Sequence, residues 1–108
     1  MSENSSSVVQ VPLLPLRPLV FAFNEPTRWS ILSILSDGQP KMVSELAKAL
    51  GKPMSTISKH MAVLRKSGAV VTGQAGLYRI PAQFIPEPGR RLVDYGYFLL
   101  RMDVKEPD

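Results

Sequence analysis

The chain has 108 residues and a net charge of +4, with 13 Lys and Arg against 9 Asp and Glu. This length is typical of one domain that buries its own hydrophobic core. The absence of cysteine excludes a disulfide scaffold and a thiol nucleophile, and a single histidine disfavours a zinc site. We therefore expect no bound cofactor and no metal.

The positive charge is concentrated in the middle of the chain. Between Lys41 and Arg79 seven basic residues accompany one acid, Glu45, so this part carries +6. The remainder has six basic and eight acidic residues and carries −2. A basic middle indicates a surface that binds a polyanion such as nucleic acid, although a solvated basic surface explains the charge equally well.

The apolar segment near the start of the chain does not have the pattern of a membrane span. It runs from Val8 to Phe23 and is interrupted by Pro12, Pro15 and Pro18. No run approaches the ~18 apolar residues that a span requires. We expect a cytoplasmic protein with no membrane partner.

The composition divides the chain into three parts. Residues 1–12 are predicted to form a disordered or extended tail, residues 13–104 the folded domain and residues 105–108 a second tail. The domain begins with a short helix whose apolar residues are Leu16, Leu19, Val20 and Phe23.

Helix-capping residues predict where the next three helices begin and end. Pro26 suits the first position of a second helix, with Asn24 or Glu25 before it as the cap, and Asp37-Gly38 stops it. A third helix is predicted from about Val43 to Leu50, with Gly51 as a left-handed exit. A fourth begins at Pro53 and continues to Ser67, where Gly68 ends it.

The fourth helix has two contrasting faces. Ile57, Met61 and Leu64 follow an i, i+4, i+7 spacing, which predicts that they point inward. The opposite face carries small or polar residues: Ser55, Thr56, Ser58, Lys59 and Ala62.

The periodicity changes after Gly68. Segments 69–72 and 77–80 are short β-type runs, and the loop Gly73-Gln74-Ala75-Gly76 between them predicts a hairpin. Prolines then mark a connector. A last helix is predicted from Arg90 to about Val104, and its apolar residues extend most of the way round, which favours burial on several sides or by a partner chain.

Two short helices at a tight turn followed by a hairpin predict a mainly α fold, the winged helix-turn-helix. The outer face of the fourth helix has short hydroxyl side chains that fit a groove ~12 Å wide, and the surrounding cations suit phosphates. His60 touches a phosphate or packs at the edge of the helix interface, and the sequence favours neither. The predicted DNA-binding residues are Lys41, Lys48, Lys52, Ser55, Thr56, Ser58, Lys59, His60, Lys66 and Arg79.

The segment from Glu25 to Ile80 resembles the ArsR-type winged-helix repressors of bacteria and archaea. The matching pieces include Ser44-Glu45-Leu46-Ala47-Lys48-Ala49-Leu50-Gly51, Ser55-Thr56-Ile57-Ser58-Lys59-His60-Met61 and Val63-Leu64-Arg65-Lys66-Ser67-Gly68. The resemblance implies a homodimeric transcriptional regulator, usually a repressor released by an effector. It also implies pairing through the first and last helices, with the interface residues Leu16, Leu19, Val20, Phe23, Leu92, Tyr95, Leu99 and Met102.

The sequence departs from this family at the positions used for metal sensing. The third helix begins at Met42-Val43-Ser44 without a thiol, and the predicted last helix has Asp94 and Asp103 without histidine. We therefore expect the partners to be double-stranded DNA carrying an inverted repeat, a second copy of the chain and an unknown effector, if one exists.

Two further interpretations remain open at this stage. The uncharged wing loop favours an alternative function, a winged-helix module for protein interaction with little DNA affinity. Trp29 suits a core or dimer contact better than an effector site. No catalytic constellation is recognisable, so the chain is not expected to be an enzyme.

Overall fold

The computed structural model describes residues 13–105 and 107. Four helices precede two small antiparallel hairpins, and short 3-10 turns connect the strands. The helices are α1 Leu16–Phe23, α2 Pro26–Leu35, α3 Val43–Leu50 and α4 Met54–Ser67. The strands are β1 Val71–Thr72, β2 Tyr78–Arg79, β3 Leu92–Asp94 and β4 Leu99–Arg101.

The first two helices meet at a corner capped by Glu25. Its carboxylate accepts a hydrogen bond of 3.0 Å from the backbone N–H of Arg28, which satisfies one of the free donors at the start of α2. Pro26 occupies the first helical position, where its missing N–H has no cost. The predicted start of α2 is confirmed, with Glu25 rather than Asn24 as the cap.

Glycines end the two helices of the helix-turn-helix. Gly51 has φ +63° after α3 and Gly68 has φ +87° after α4, a region that side chains with a Cβ rarely adopt. Pro53 precedes α4, and its carbonyl accepts from the N–H groups of Thr56 and Ile57. No described side chain caps this end of α4.

The core lies between the four helices, where α4 packs against α1, α2 and α3. Ile57, Met61 and Leu64 are fully buried, so the predicted inward face of α4 is confirmed. Leu32 of α2 and Leu46 of α3 belong to the same cluster. This burial holds α4 by one face and leaves its other face to solvent.

The first hairpin is the wing that the sequence predicts. Strands β1 and β2 pair antiparallel, with Val71 opposite Arg79 and Thr72 opposite Tyr78. Lys41 adds a backbone bridge on the far side of β2, because its N–H and C=O both bond Tyr78 at 2.8 Å. The wing is therefore attached to the segment that leads into α3.

The predicted last helix is wrong. Residues 92–94 and 99–101 form a second antiparallel hairpin, in which Val93 lies opposite Leu100 and Asp94 opposite Leu99. The Asp94 carboxylate accepts from the N–H of Gly96 at 2.8 Å, and the Tyr95 N–H bonds the Phe98 carbonyl at 3.0 Å to close the loop.

Local chemistry explains why this segment is a hairpin. Gly96 has φ +94°, which a turn needs and which an α-helix does not contain. Aromatic residues surround Gly96 and favour extended backbone. Along β4 the side chains alternate between core and solvent. Leu100 is buried, and its neighbours Leu99 and Arg101 are exposed.

Within residues 13–105 and 107, no helix is both long and apolar enough to cross a membrane.

Candidate nucleic-acid interface

The outward face of α4 presents small and basic side chains to solvent. Ser55, Ser58, Lys59 and Ala62 are exposed, and Thr56 is half-buried at the flank. Because the opposite face is packed into the core, these side chains are displayed on a fixed helix. A row of short side chains of this kind allows the helix backbone to approach another surface closely.

The charge on this face is uniformly positive. Lys59, Lys66 and Arg65 are exposed, and α4 contains no acidic residue. Arg65 is absent from the residues predicted to bind DNA. Its place on the same face follows from the helical spacing, because it lies seven residues after Ser58 and three after Ala62.

Two more of the predicted cations come from the first half of the helix-turn-helix. Lys48 is exposed in the last turn of α3, and Lys52 is exposed in the turn that leads into α4. The single acid of α3, Glu45, accepts a hydrogen bond of 2.8 Å from the N–H of Met42. Its carboxylate therefore caps the N-terminal end of α3.

The cations at the wing differ in their availability. Lys41 is bound to Asp37, with Nζ 3.0 Å from Oδ2 and 3.2 Å from Oδ1. Burial alone would raise the pKa of Asp37, but hydrogen bonds from the Gln39 N–H and the Lys41 ammonium bring it below its usual value. Arg79 is exposed on β2. Of the two, Arg79 is the better placed for an external anion.

His60 lies on the inner flank of α4, away from the exposed face. Its Nδ1 is 3.1 Å from the Nη1 of Arg28 and 3.9 Å from Oε1 of Glu25. The imidazole is 19% exposed. The structure thus favours the second sequence-based interpretation, packing at the edge of the helix interface.

The predicted dimer residues divide between surface and core. Leu16, Val20 and Leu99 are exposed, and Phe23 is half-buried against the rings of Tyr95 and Phe98. Four others are buried within the chain itself: Leu19, Leu92, Tyr95 and Met102. The expected pairing through a last helix is wrong, because this segment forms β3 and β4 in the described chain.

One exposed apolar residue of α1 was missed by the sequence reasoning. Phe21 is 65% exposed and lines a groove between α1 and α4, together with Arg17, Val63 and Lys66. It lies two residues before Phe23 and therefore off the predicted apolar stripe of α1.

Trp29 is not a core residue. Its side chain is partly exposed and lines an open cleft of about 420 Å³ at the α1–α2 corner with Phe23 and Glu25.

In the part of the chain that the structure describes, no three His, Cys, Asp or Glu side chains gather as metal ligands would.

Comparison with known proteins identifies the same segment. The model of the family described as "Bacterial regulatory protein, arsR family" matches residues 25–71, from the cap of α2 to the first residue of β1. An uncharacterized HTH-type transcriptional regulator of Methanocaldococcus jannaschii is 37% identical over 57 residues, which are 53% of this chain. The match spans 64% of that regulator's length.

A solved structure extends the similarity beyond the helix-turn-helix. HlyU from Vibrio cholerae is 30% identical, with a TM-score of 0.55, over 74% of this chain and 80% of its own. The winged helix-turn-helix predicted from the sequence is confirmed, and a match to regulatory proteins supports the expectation that the chain is not an enzyme. The chain belongs to the arsR family of bacterial regulatory proteins.

Proposed function

We propose that this chain is a DNA-binding transcriptional regulator that inserts α4 into the major groove. The observation that supports this most is the exposed face of α4, which combines short hydroxyl side chains with Lys59, Arg65 and Lys66. A major groove ~12 Å wide accepts a helix if its outward side chains are short enough for close approach. Ser55 and Ser58 meet that condition and can donate to or accept from base edges.

The cations around this face are proposed to set affinity rather than sequence preference. Contacts to phosphates position a protein on the duplex and release counterions, whereas base edges carry the sequence information. Lys48, Lys52 and Lys66 belong to the first class. Thr56 and Lys59 complete the proposed base-reading set.

We propose further that the regulator is a homodimeric repressor that binds an inverted repeat. Two recognition helices related by a two-fold axis fit half-sites separated by roughly one helical turn. Because the last helix is replaced by a hairpin, the proposed interface uses α1 and β4, through Leu16, Val20 and Leu99, which are exposed in the single chain.

The wing favours a second candidate function. The loop 73–76 carries no charge, and Arg79 is the one cation of strands β1 and β2. A winged-helix module for protein interaction would have such a wing and little DNA affinity. DNA binding remains the better proposal, because the exposed α4 face carries Lys59, Arg65 and Lys66 and no acidic residue.

An electrophoretic mobility shift with genomic fragments at two salt concentrations tests the proposal. We expect discrete complexes at low salt and competition by a fragment that contains an inverted repeat. Loss of binding on raising the salt identifies the phosphate contribution. If no fragment shifts at low salt, DNA binding is refuted and the protein-interaction module takes its place.

A further inference from the structure

A buried arginine links the recognition helix to the corner of α1 and α2. Arg28 is 7% exposed, and it is the one charged residue with so little exposure in the described part of the chain. Its Nε donates to the carbonyl of Ala22 at 2.8 Å, and its Nη2 donates to the carbonyl of Phe21 at 3.1 Å. These bonds join the guanidinium to two carbonyl groups in the last turn of α1, and the Phe21 carbonyl also accepts from the Asn24 N–H at 3.3 Å.

The remaining contact of the guanidinium is with the imidazole of His60. Nη1 of Arg28 lies 3.1 Å from Nδ1 of His60. A guanidinium has donors and no acceptor, so this contact is a hydrogen bond only if Nδ1 carries a lone pair. Such a bond requires a neutral imidazole with its proton on Nε2.

Few charged groups surround this pair. Oε1 of Glu25 is 3.9 Å from Nδ1 of His60, and the bond from the Arg28 backbone N–H lowers the pKa of that carboxyl. From α1, the Phe21 ring lies under the guanidinium, with Cζ 5.3 Å from its centroid. Among the described hydrogen bonds and ion pairs, none brings a charged group of α1 or α3 to His60, and Lys59 beside it on α4 is exposed.

We propose that His60 is a positioning residue for DNA binding, acting through Arg28 and making no contact with DNA. Its neutral Nδ1 holds α4 against the α1–α2 corner in the orientation that presents Ser58 and Lys59. This inference rests on the proposed function, since the affected property is DNA affinity. It predicts that acid weakens the complex.

The direction of the pH effect separates this role from a phosphate contact. A proton on Nδ1 removes the lone pair and places a second cation beside the guanidinium, which breaks the link. A histidine at a phosphate would gain a favourable charge on protonation, so affinity would rise in acid. His60 is the only histidine of the chain, so the histidine contribution to the pH profile belongs to one residue.

Fluorescence anisotropy with a duplex identified in the shift experiment measures the effect at pH 7.5 and 5.5 and constant ionic strength. We expect the wild-type affinity to fall at pH 5.5, because a proton on Nδ1 removes the hydrogen bond from Arg28. His60→Asn places an amide oxygen near the Nδ1 position and does not titrate. It should bind like the wild type at pH 7.5 and change little in acid.

His60→Ala is the matched comparison, because it removes the acceptor and should bind weakly at both pH values. An affinity that rises in acid for the wild type and not for His60→Asn would overturn the proposal in favour of a phosphate contact. Equal affinity of His60→Ala and the wild type at pH 7.5 would also overturn it.

Nitrogen NMR of histidine-labelled protein provides a readout without DNA. We expect an imidazole protonated at Nε2 and bare at Nδ1 at pH 7.5, and the reverse tautomer would refute the Arg28 bond. If no duplex binds at any pH, the proposed function fails and the positioning role fails with it. The tautomer would then still show whether the Arg28–His60 pair exists.

Discussion

We propose different roles in DNA binding for individual side chains on α4. Ser58 and Lys66 share the exposed face, yet the first is a short hydroxyl and the second a flexible cation at the C-terminal end of the helix. A hydroxyl that reads a base affects one sequence, whereas a cation that pairs with a phosphate affects all sequences. The two roles can be distinguished by comparing specific and random duplexes.

Ser58→Ala is expected to weaken the specific complex by about 1–3 kcal/mol and to leave random DNA almost unaffected. Lys66→Gln should lower both affinities alike and flatten the salt dependence. Binding isotherms on the two duplexes measure both effects. Equal losses on specific and random DNA for Ser58→Ala would mean that this hydroxyl reads no base.

Tyr95 shows how a single buried side chain holds the second hairpin to the helical core. Its hydroxyl donates to the carbonyl of Ala69 at 2.7 Å, and its ring packs 4.8 Å from that of Phe84 between centroids. Burial raises the pKa of the Tyr95 phenol, so it remains a neutral donor.

Tyr95→Phe should reduce the free energy of unfolding by about 0.5–1.5 kcal/mol, since it leaves the Ala69 carbonyl without this partner. Tyr97→Phe is the control, because the Tyr97 hydroxyl also donates to a carbonyl, that of Leu14, but is exposed. Urea denaturation compares the two. A larger loss for Tyr97→Phe would contradict the assignment of Tyr95 to the core.

At the scale of the elements, the caps made the helices predictable. Pro26 marks the first helical residue of α2, and Gly51 and Gly68 mark the left-handed exits of α3 and α4. These signals are local, so a sequence displays them directly. The inward face of α4 was predictable for the same reason, because its apolar spacing matches the helical repeat.

The second hairpin was not predictable by the same reasoning. On a helical period the apolar residues from Leu92 to Met102 extend most of the way round, which favours burial on several sides or by a partner chain. That distribution was itself a sign that no helical period was present. Gly96, within a run of aromatic residues, is the local signal of a turn.

Alternation along β4 predicts unequal effects at adjacent positions. Leu100 is 7% exposed and faces the core, whereas Leu99 is 54% exposed. Leu100→Ala should cost about 2–5 kcal/mol of unfolding free energy, and Leu99→Ala much less in the isolated chain. Thermal denaturation of a dilute sample measures both, and equal losses would contradict the strand assignment.

The whole molecule leaves apolar side chains exposed on α1 and on the C-terminal hairpin. Val20 and Leu99 are about half exposed, as is Leu16. Exposed apolar residues on the first and last elements are the basis for the proposed dimer. On α1, Leu16 and Val20 are exposed, but Leu19 of the same predicted set is buried. The burial of Leu92 and Tyr95 depends on a tertiary arrangement that no local pattern reveals.

Val20→Glu should convert the proposed dimer into monomers, because it places an unpaired carboxylate in an apolar contact. Val104→Glu is the control, since Val104 is exposed but lies outside the proposed interface. Light scattering gives the mass of each protein. A Val20→Glu protein with the mass of a dimer would show that α1 is not the contact surface.

The central claim is that the exposed face of α4 enters the DNA groove, and Ala62 lies on that face between Ser58 and Lys66. The most direct test is the affinity of Ala62→Glu for the identified duplex, beside that of Ala82→Glu, which makes the same change at another exposed position. A carboxylate held against phosphates costs several kcal/mol, so Ala62→Glu should lose about 100-fold in affinity or more and Ala82→Glu only a few-fold. Equal affinities of the two variants would contradict the account.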